Sequence, residues 1–346
     1  MRQCWDSAKL KIHAVRVSVN VYTQCGATLM DHENNREKKV KTVSVEFSGI
    51  HNLTFDRACV RIAGIDLALV SVDPAMKIQI QGASENFLIH EENPDITIEA
   101  SWDDLSTMKL EGQKLFESGA VWQLYEKNNI YVFSLNSEAF GSIPYTVARV
   151  RKDWTWGEAR LHRGYFNPDE SIYPLEYPLD ELLMVNFLSL GRGAEVHACG
   201  VVSSHGDGHL FLGQSRAGKT TLARLWQKEK GVTVLSDDRI ILRQLDGKVW
   251  MYGTPWHGEA EIASPARLPL TRIYFLQHGK TNELVQLGTT EAVARLFACS
   301  FLPFHSPEAL EFTLGFFEKV AKAVPCCDLK FLPDKRAVEF IQQLAE

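Results

Sequence analysis

"FLGQSRAGKTTLARLW", Phe211–Trp226, is the stretch on which the reading of this chain turns. Gly213 is followed by four residues and then by Gly218-Lys219-Thr220, the spacing of a phosphate-cradling P-loop of the Walker A type. An apolar run, Leu210–Leu212, leads into it, and helix-forming residues begin at Lys219. Such a loop aims backbone N–H groups at phosphate oxygens, and the positive end of the following helix adds to the attraction. The expected nucleotide-binding set is therefore Gly213, Gln214, Ser215, Arg216, Ala217, Gly218, Lys219, Thr220 and Thr221. Lys219 would reach the β/γ oxygens of ATP, and the Thr220 hydroxyl would hold Mg²⁺.

Downstream, the apolar run "VTVL" ends at Ser236 and is followed by Asp237 and Asp238. A carboxylate at the end of a buried strand beside a phosphate loop is where a metal ligand belongs. Consecutive side chains on a strand point to opposite faces, so the two aspartates divide the work. One can organise Mg²⁺; the other can accept a proton or make a structural contact.

The elements around the loop do not follow the usual parallel P-loop order. "AEVHACGVVSS" (Ala194–Ser204) reads as a strand, "HGDGH" as a tight turn, and "LFL" as the strand that feeds the loop. "TTLARLWQKEKG" reads as a helix ended by Gly231. "RIILRQL" and "KVWMYG" form a hairpin about Asp246-Gly247. Antiparallel neighbours are expected on both sides of the loop. Ahead of it, Pro178 opens a buried helix, "LDELLMVNFLSL", that Gly191 and Gly193 close. "SPEALEFTLGFFEKVAKAV" has a serine cap and helical periodicity.

The first half alternates apolar and polar residues. "KLKIHAVRVSVNVY", "KKVKTVSVEF", "MKIQIQG", "DITIEASWDDL" and "NNIYVFSL" all have the period of half-buried strands. One short helix is expected between Ser101 and Asn128. No catalytic constellation stands out there, which suits a packing or partner-binding role. The fold class is α+β: a β-rich N-terminal domain over 1–176, then a mixed-sheet nucleotide-binding domain over 177–346.

Composition narrows the classes. The 346 residues suit two domains, and 45% apolar with 23% charged residues is ordinary for a soluble globular chain. A formal net charge of −6 argues against broad nucleic-acid binding. No run is long and apolar enough for a membrane helix, and "MRQCWDSAKLKIHAV" lacks the apolar core of a secretory signal. Seven scattered cysteines fit a reducing cytoplasm better than a disulfide scaffold. Oligomeric state is open, a homo-oligomer included.

Residues 178–345 resemble the C-terminal domain of HPr kinase/phosphorylase and its relatives, which share a nucleotide-binding core with phosphoenolpyruvate carboxykinase. The residues that carry the resemblance are "VHACGVV", "GQSRAGKT" and "VLSDDRIIL". On that resemblance His197 matches a histidine on the preceding strand, Ser215 the loop serine, and Asp237-Asp238 the acidic pair. It implies that Asp237 is the general base for a substrate hydroxyl, that Asp238 supports Mg²⁺, and that His197 contacts phosphate or metal. The chain departs from the family at Arg216, where glycine is usual. "YGTPWHGEAEIASPARLPL" looks closer to HPr-kinase-like proteins of peptide-modification clusters than to true HPr kinases.

The implied activity is ATP- and Mg²⁺-dependent phosphoryl transfer to a serine- or threonine-type hydroxyl of a peptide, protein or small molecule. His257 and Glu259 in "TPWHGE" are candidate acceptor contacts, and Arg267, Arg272 and Arg295 are candidates for a phosphate clamp. His197, His205 and His209 match no known zinc spacing. A nucleotide-binding regulatory or scaffold protein with little turnover is the competing class, and a carboxykinase-like enzyme the third.

Overall fold

In the computed structural model the described residues are 54–119, 121–167, 169–214 and 216–344. Thr54–Glu346 forms one compact unit. The expected strands in "KLKIHAVRVSVNVY" and "KKVKTVSVEF" lie outside the described residues, as does Ser215.

Two large sheets make up this unit. The first holds β1 (Arg57–Ile62), β2 (Ile65–Ser71), β3 (Leu88–Ile89), β4 (Ile96–Asp103), β5 (Gln113–Glu117), β6 (Trp122–Lys127), β7 (Ile130–Leu135), β8 (Thr146–Arg151) and β9 (Trp156–His162). Their order is β3-β1-β2-β4-β9-β8-β7-β6-β5. The period-two pattern of "ITIEASWD" becomes strictly alternating burial along β4. Two expectations change here. The short helix between Ser101 and Asn128 is replaced by β5 and β6 with a single turn of 3₁₀ helix, Leu105–Thr107, whose Asp104 cap accepts from the Ser106 N–H. "QKLFE" and "WQLYEK" carry the aromatic residues and alternation of strands, and that outweighs the helix-forming glutamates. "MKIQIQG" forms no ladder; only Ile78 bridges, to Phe55 and to Ile172.

The second sheet follows helix α1 (Leu179–Ser189). It contains β10 (Ala194–Val202), β11 (Gly208–Leu212), β12 (Thr233–Ser236), β13 (Arg239–Leu245), β14 (Lys248–Gly253), β15 (Arg267–Pro269), β16 (Arg272–His278), β17 (Glu283–Gln286) and β18 (Cys326–Phe331). The order is β15-β14-β13-β10-β11-β16-β18-β17, with β12 also paired to β10. Helices α2 (Lys219–Trp226), α3 (Thr289–Ala298), α4 (Pro307–Ala323) and α5 (Lys335–Gln343) cover it. The strand feeding the loop, β11, is antiparallel to β10 but parallel to β16. The expected antiparallel neighbour is thus present on one side only. A parallel neighbour needs a long crossover, and residues 213–271 supply it.

Both faces of this sheet are covered, which is why its central strands are almost continuously apolar. Leu210, Leu212, Ile273 and Phe275 point to a layer shared with Phe316 and Phe317 of α4. Phe211, Tyr274 and Leu329 point the other way, into a layer shared with Leu222 and Trp226 of α2 and Ile341 of α5. Trp226 is fully buried. Side chains of this size each contribute about 1.5–3 kcal/mol on burial, so α2 is anchored by its apolar face. Helix α1 is buried on every side, as its apolar sequence requires.

Contacts between the sheets include one hydrogen bond and aromatic packing. Arg243 Nη1 donates to the Ala63 carbonyl at 2.6 Å. Phe304 stacks on Phe116 with centroids 6.4 Å apart, and His305 sets its edge against Tyr131 at 5.2 Å. A functional division near residue 176 remains a proposal that this change of sheet motivates. Among the described residues no helix is long and apolar enough to cross a membrane.

Burial lowers the His305 pKa to about 4, with Glu126 opposing the shift weakly. The folded protein therefore holds His305 neutral, while the unfolded chain takes up a proton near pH 6.5. Stability from this site is complete above pH 6.5 and is lost as pH falls from 6.5 towards 4. In His305→Gln that loss should be absent. Urea titrations at pH 7.5 and 5.0 should show a smaller drop for the variant than for wild type. Equal drops would mean that His305 is already solvated at the contact between the sheets.

Candidate active site

One strand organises the site. On one side of β10, Ala198 lies opposite Leu212, the last residue before the glycine loop. On the other side, His197 lies opposite Arg239 and Gly200 opposite Ser236. The chain from β12 to β13 runs along β10 and is interrupted at Asp237-Asp238, where the Asp238 carbonyl accepts from the Ala198 N–H at 3.1 Å. The loop, His197 and the acidic pair therefore meet at one end of adjacent strands.

The loop needs its glycines. A Cβ on Gly213 would come within 2.6 Å of the Ala217 Cβ, and one on Gly218 within 2.6 Å of Phe331 Cζ. Gly218 also has φ +102°, a left-handed value that suits glycine. It caps α2, so the first N–H groups of the helix face the loop. Lys219 is buried, and its ammonium donates to the carbonyls of Gly213 at 2.7 Å and Gln214 at 3.2 Å. Thr220 is half-buried in the first turn, and Thr221 is exposed.

The two aspartates face different partners. Asp237 is 1% exposed. Its Oδ1 accepts from the Gly258 N–H at 2.8 Å and its Oδ2 from the Ala260 N–H at 3.0 Å. A Cβ at Gly258 would sit 2.3 Å from Asp237 Oδ2, so glycine is needed for this approach. Asp238 Oδ1 lies 2.9 Å from His197 Nε2, and its Oδ2 receives a hydrogen bond from Arg239 Nη1. Burial lowers the His197 pKa, and the nearby Lys219 charge acts in the same direction, against the pull of Asp238. A neutral His197 with its proton on Nε2 would donate to Asp238.

Behind this pair lies a buried charge cluster. Arg239 Nε donates to Glu181 Oε1 at 2.6 Å and stands 3.6 Å from Glu195 Oε1, while the guanidinium covers the Phe301 ring at 4.2 Å. Burial, then repulsion from Glu181, pushes the Glu195 pKa well up. Burial raises that of Asp180 to about 7. Arg239, Glu181 and Glu195 were not singled out in the sequence. The available signal was an arginine directly after the acidic pair, inside an otherwise apolar strand.

Other expected residues divide. The 256–260 loop carries His257, half-buried, and Glu259, exposed, beside the acidic pair. It also touches the loop helix, since Arg224 Nη2 donates to the Glu259 carbonyl at 3.4 Å. Arg272 lies opposite His209, at the end of β11 away from the loop. Arg295 pairs with Glu291 and Asp328, and Arg267 covers Trp250. These three arginines have local partners or lie away from the loop end. His209 is buried beside Trp226 and Tyr274. Among the described residues no cluster of His, Cys, Asp and Glu could hold a metal by itself.

Replacing Asp237 by asparagine removes one of the two acceptors that hold the 258–260 backbone. The stranded N–H should cost about 1–3 kcal/mol. Thermal unfolding of Asp237→Asn is expected at a clearly lower temperature than wild type. An unchanged midpoint would mean that the loop is held by other contacts.

No family model and no curated protein matches the chain. Among solved structures it is similar to the Hpr(Ser) kinase/phosphatase from Coxiella burnetii, at 11% identity and a TM-score of 0.27, over 44% of this chain and 93% of that one. The likeness is too slight to define a shared fold, so the chemistry is read from the site's own geometry.

Proposed function

We propose that this protein is a phosphotransferase that takes the γ-phosphate of Mg²⁺-ATP and passes it to a serine- or threonine-type hydroxyl of a peptide, protein or small molecule. The observation that carries the reading is the meeting of a glycine loop, a buried lysine and an Asp–His pair at one end of β10. The glycine-only positions at Gly213 and Gly218 keep the cradle free of side chains, as close approach to phosphate requires. Lys219 would exchange its loop carbonyls for phosphate oxygens. The Thr220 hydroxyl and Asp238 would hold Mg²⁺, which neutralises charge on the transferring phosphate.

The aspartates take roles set by their partners. Both Asp237 oxygens are engaged by backbone amides, so this residue fixes the 256–260 loop. Asp238 has His197 on one oxygen and Arg239 on the other. In our reading Asp238 is the carboxylate next to the reacting centre that receives the acceptor's proton, and neutral His197 orients it through Nε2. His257 and Glu259 would then line the acceptor side. The proton-accepting role assigned to Asp237 by resemblance moves to the Asp238–His197 pair.

Calorimetry with Mg²⁺-ATP tests the nucleotide part. Lys219→Ala should weaken binding by about ten-fold or more, the range for losing a hydrogen bond to a charged group. Unchanged affinity would remove the loop from the reading. Slow ATP hydrolysis to water tests the chemical part: Asp238→Asn should reduce it by roughly 10²–10⁴-fold. A wild-type rate in that variant would return the protein to the class of nucleotide-binding regulators.

A further inference from the structure

Arg216 stands at the tip of the glycine loop in a conformation that arginine disfavours. Its φ is +68°, in the left-handed region where glycine is at ease and a Cβ is strained. The residue is exposed. Its carbonyl is tied down: it accepts from His278 Nε2 at 2.9 Å, which fixes the backbone and so the origin of the side chain. His278 in turn stacks on Phe331, the ring that closes off Gly218, with centroids 6.3 Å apart. Among the described residues the guanidinium has no ion pair, hydrogen bond or ring contact, whereas Arg239 and Arg295 each have at least two ion pairs. An unpaired cation thus projects from a backbone that is held in a strained state.

Within the phosphotransferase reading, on which this inference rests, we propose that Arg216 is a second phosphate-binding cation that recognises the terminal phosphate of a triphosphate. A guanidinium matches two oxygens of one phosphate in a planar fork, which an ammonium such as Lys219 cannot do. Lys219 arises from the first turn of α2 and is buried below the loop. Arg216 is exposed, so its guanidinium is accessible to a ligand in solution where the Lys219 ammonium is not. The left-handed backbone is maintained because a side chain is needed there. A glycine would satisfy the geometry without strain but would contribute no charge.

The test compares Mg²⁺-ATP with Mg²⁺-ADP by calorimetry in wild type, Arg216→Gly, Arg216→Gln and Lys219→Ala. Glycine is at home at φ +68°, so Arg216→Gly should unfold at the wild-type temperature or above it, and a binding change would not reflect misfolding. The expected result is a roughly ten-fold loss of ATP affinity in Arg216→Gly and Arg216→Gln, from losing a charge-assisted bond, with ADP affinity changed less than about two-fold. Lys219→Ala should weaken both ligands. If ATP and ADP weaken equally in the Arg216 variants, or neither weakens, Arg216 does not read the terminal phosphate, while the loop assignment stands. If wild type binds neither ligand, the phosphotransferase reading itself falls.

Discussion

A fully buried guanidinium holds the site together. Arg239 is almost inaccessible to water, and a charge placed there is tolerated only if its partners stay in place. Burial works against that charge, yet Glu181, Asp238, Tyr177 and Glu195 keep it protonated. Those partners come from four parts of the chain: α1, the acidic pair, the segment before α1, and β10. Asp238 is thus held by the same cation that fastens α1 to the sheet, and the orientation of the Asp–His pair is coupled to the packing of the helix.

The acidic pair shows how one strand interruption yields two tasks. Asp237 and Asp238 are neighbours in sequence and face opposite ways. One is consumed by the backbone of the 256–260 loop and the other by His197 and Arg239. The close packing of Gly258 on Asp237 means that the loop with His257 and Glu259 is registered to the acidic pair at close to atomic contact. The position of this loop relative to Asp238 is therefore set by hydrogen bonds to its main chain.

Much of this was legible in the sequence because local rules and tertiary needs agree there. The helix that starts at Lys219 after Gly218, the Asp246-Gly247 turn and the Ser306 cap each depend on a few adjacent residues, and each element is found. That the two aspartates have different partners was also expected, although they lie in the break between β12 and β13 and not on a continuous strand. Which aspartate took which task was not legible, because it depends on Gly258 and Ala260, some twenty residues away, folding back onto Asp237. The parallel pairing of β11 with β16 was hidden for a similar reason: a crossover leaves no local mark. In "EGQKLFESGAVWQLYEKN" helix-forming residues competed with alternation, and only the neighbouring strands of the sheet settled the outcome.

The central position of β10 has an evolutionary corollary. Its two edges carry fixed registers to the loop strand and to the acidic segment, so a single inserted or deleted residue within Ala194–Val202 would invert the faces of the strand and part His197 from Asp238. The Asp246-Gly247 turn, joining exposed ends of β13 and β14, has no such duty. Length variation among descendants of this chain should therefore be forbidden along β10 and tolerated at that turn. The strand acts as a ruler that sets the spacing of the loop, His197 and the acidic pair, and lineages can lengthen the protein only where the ruler is not read.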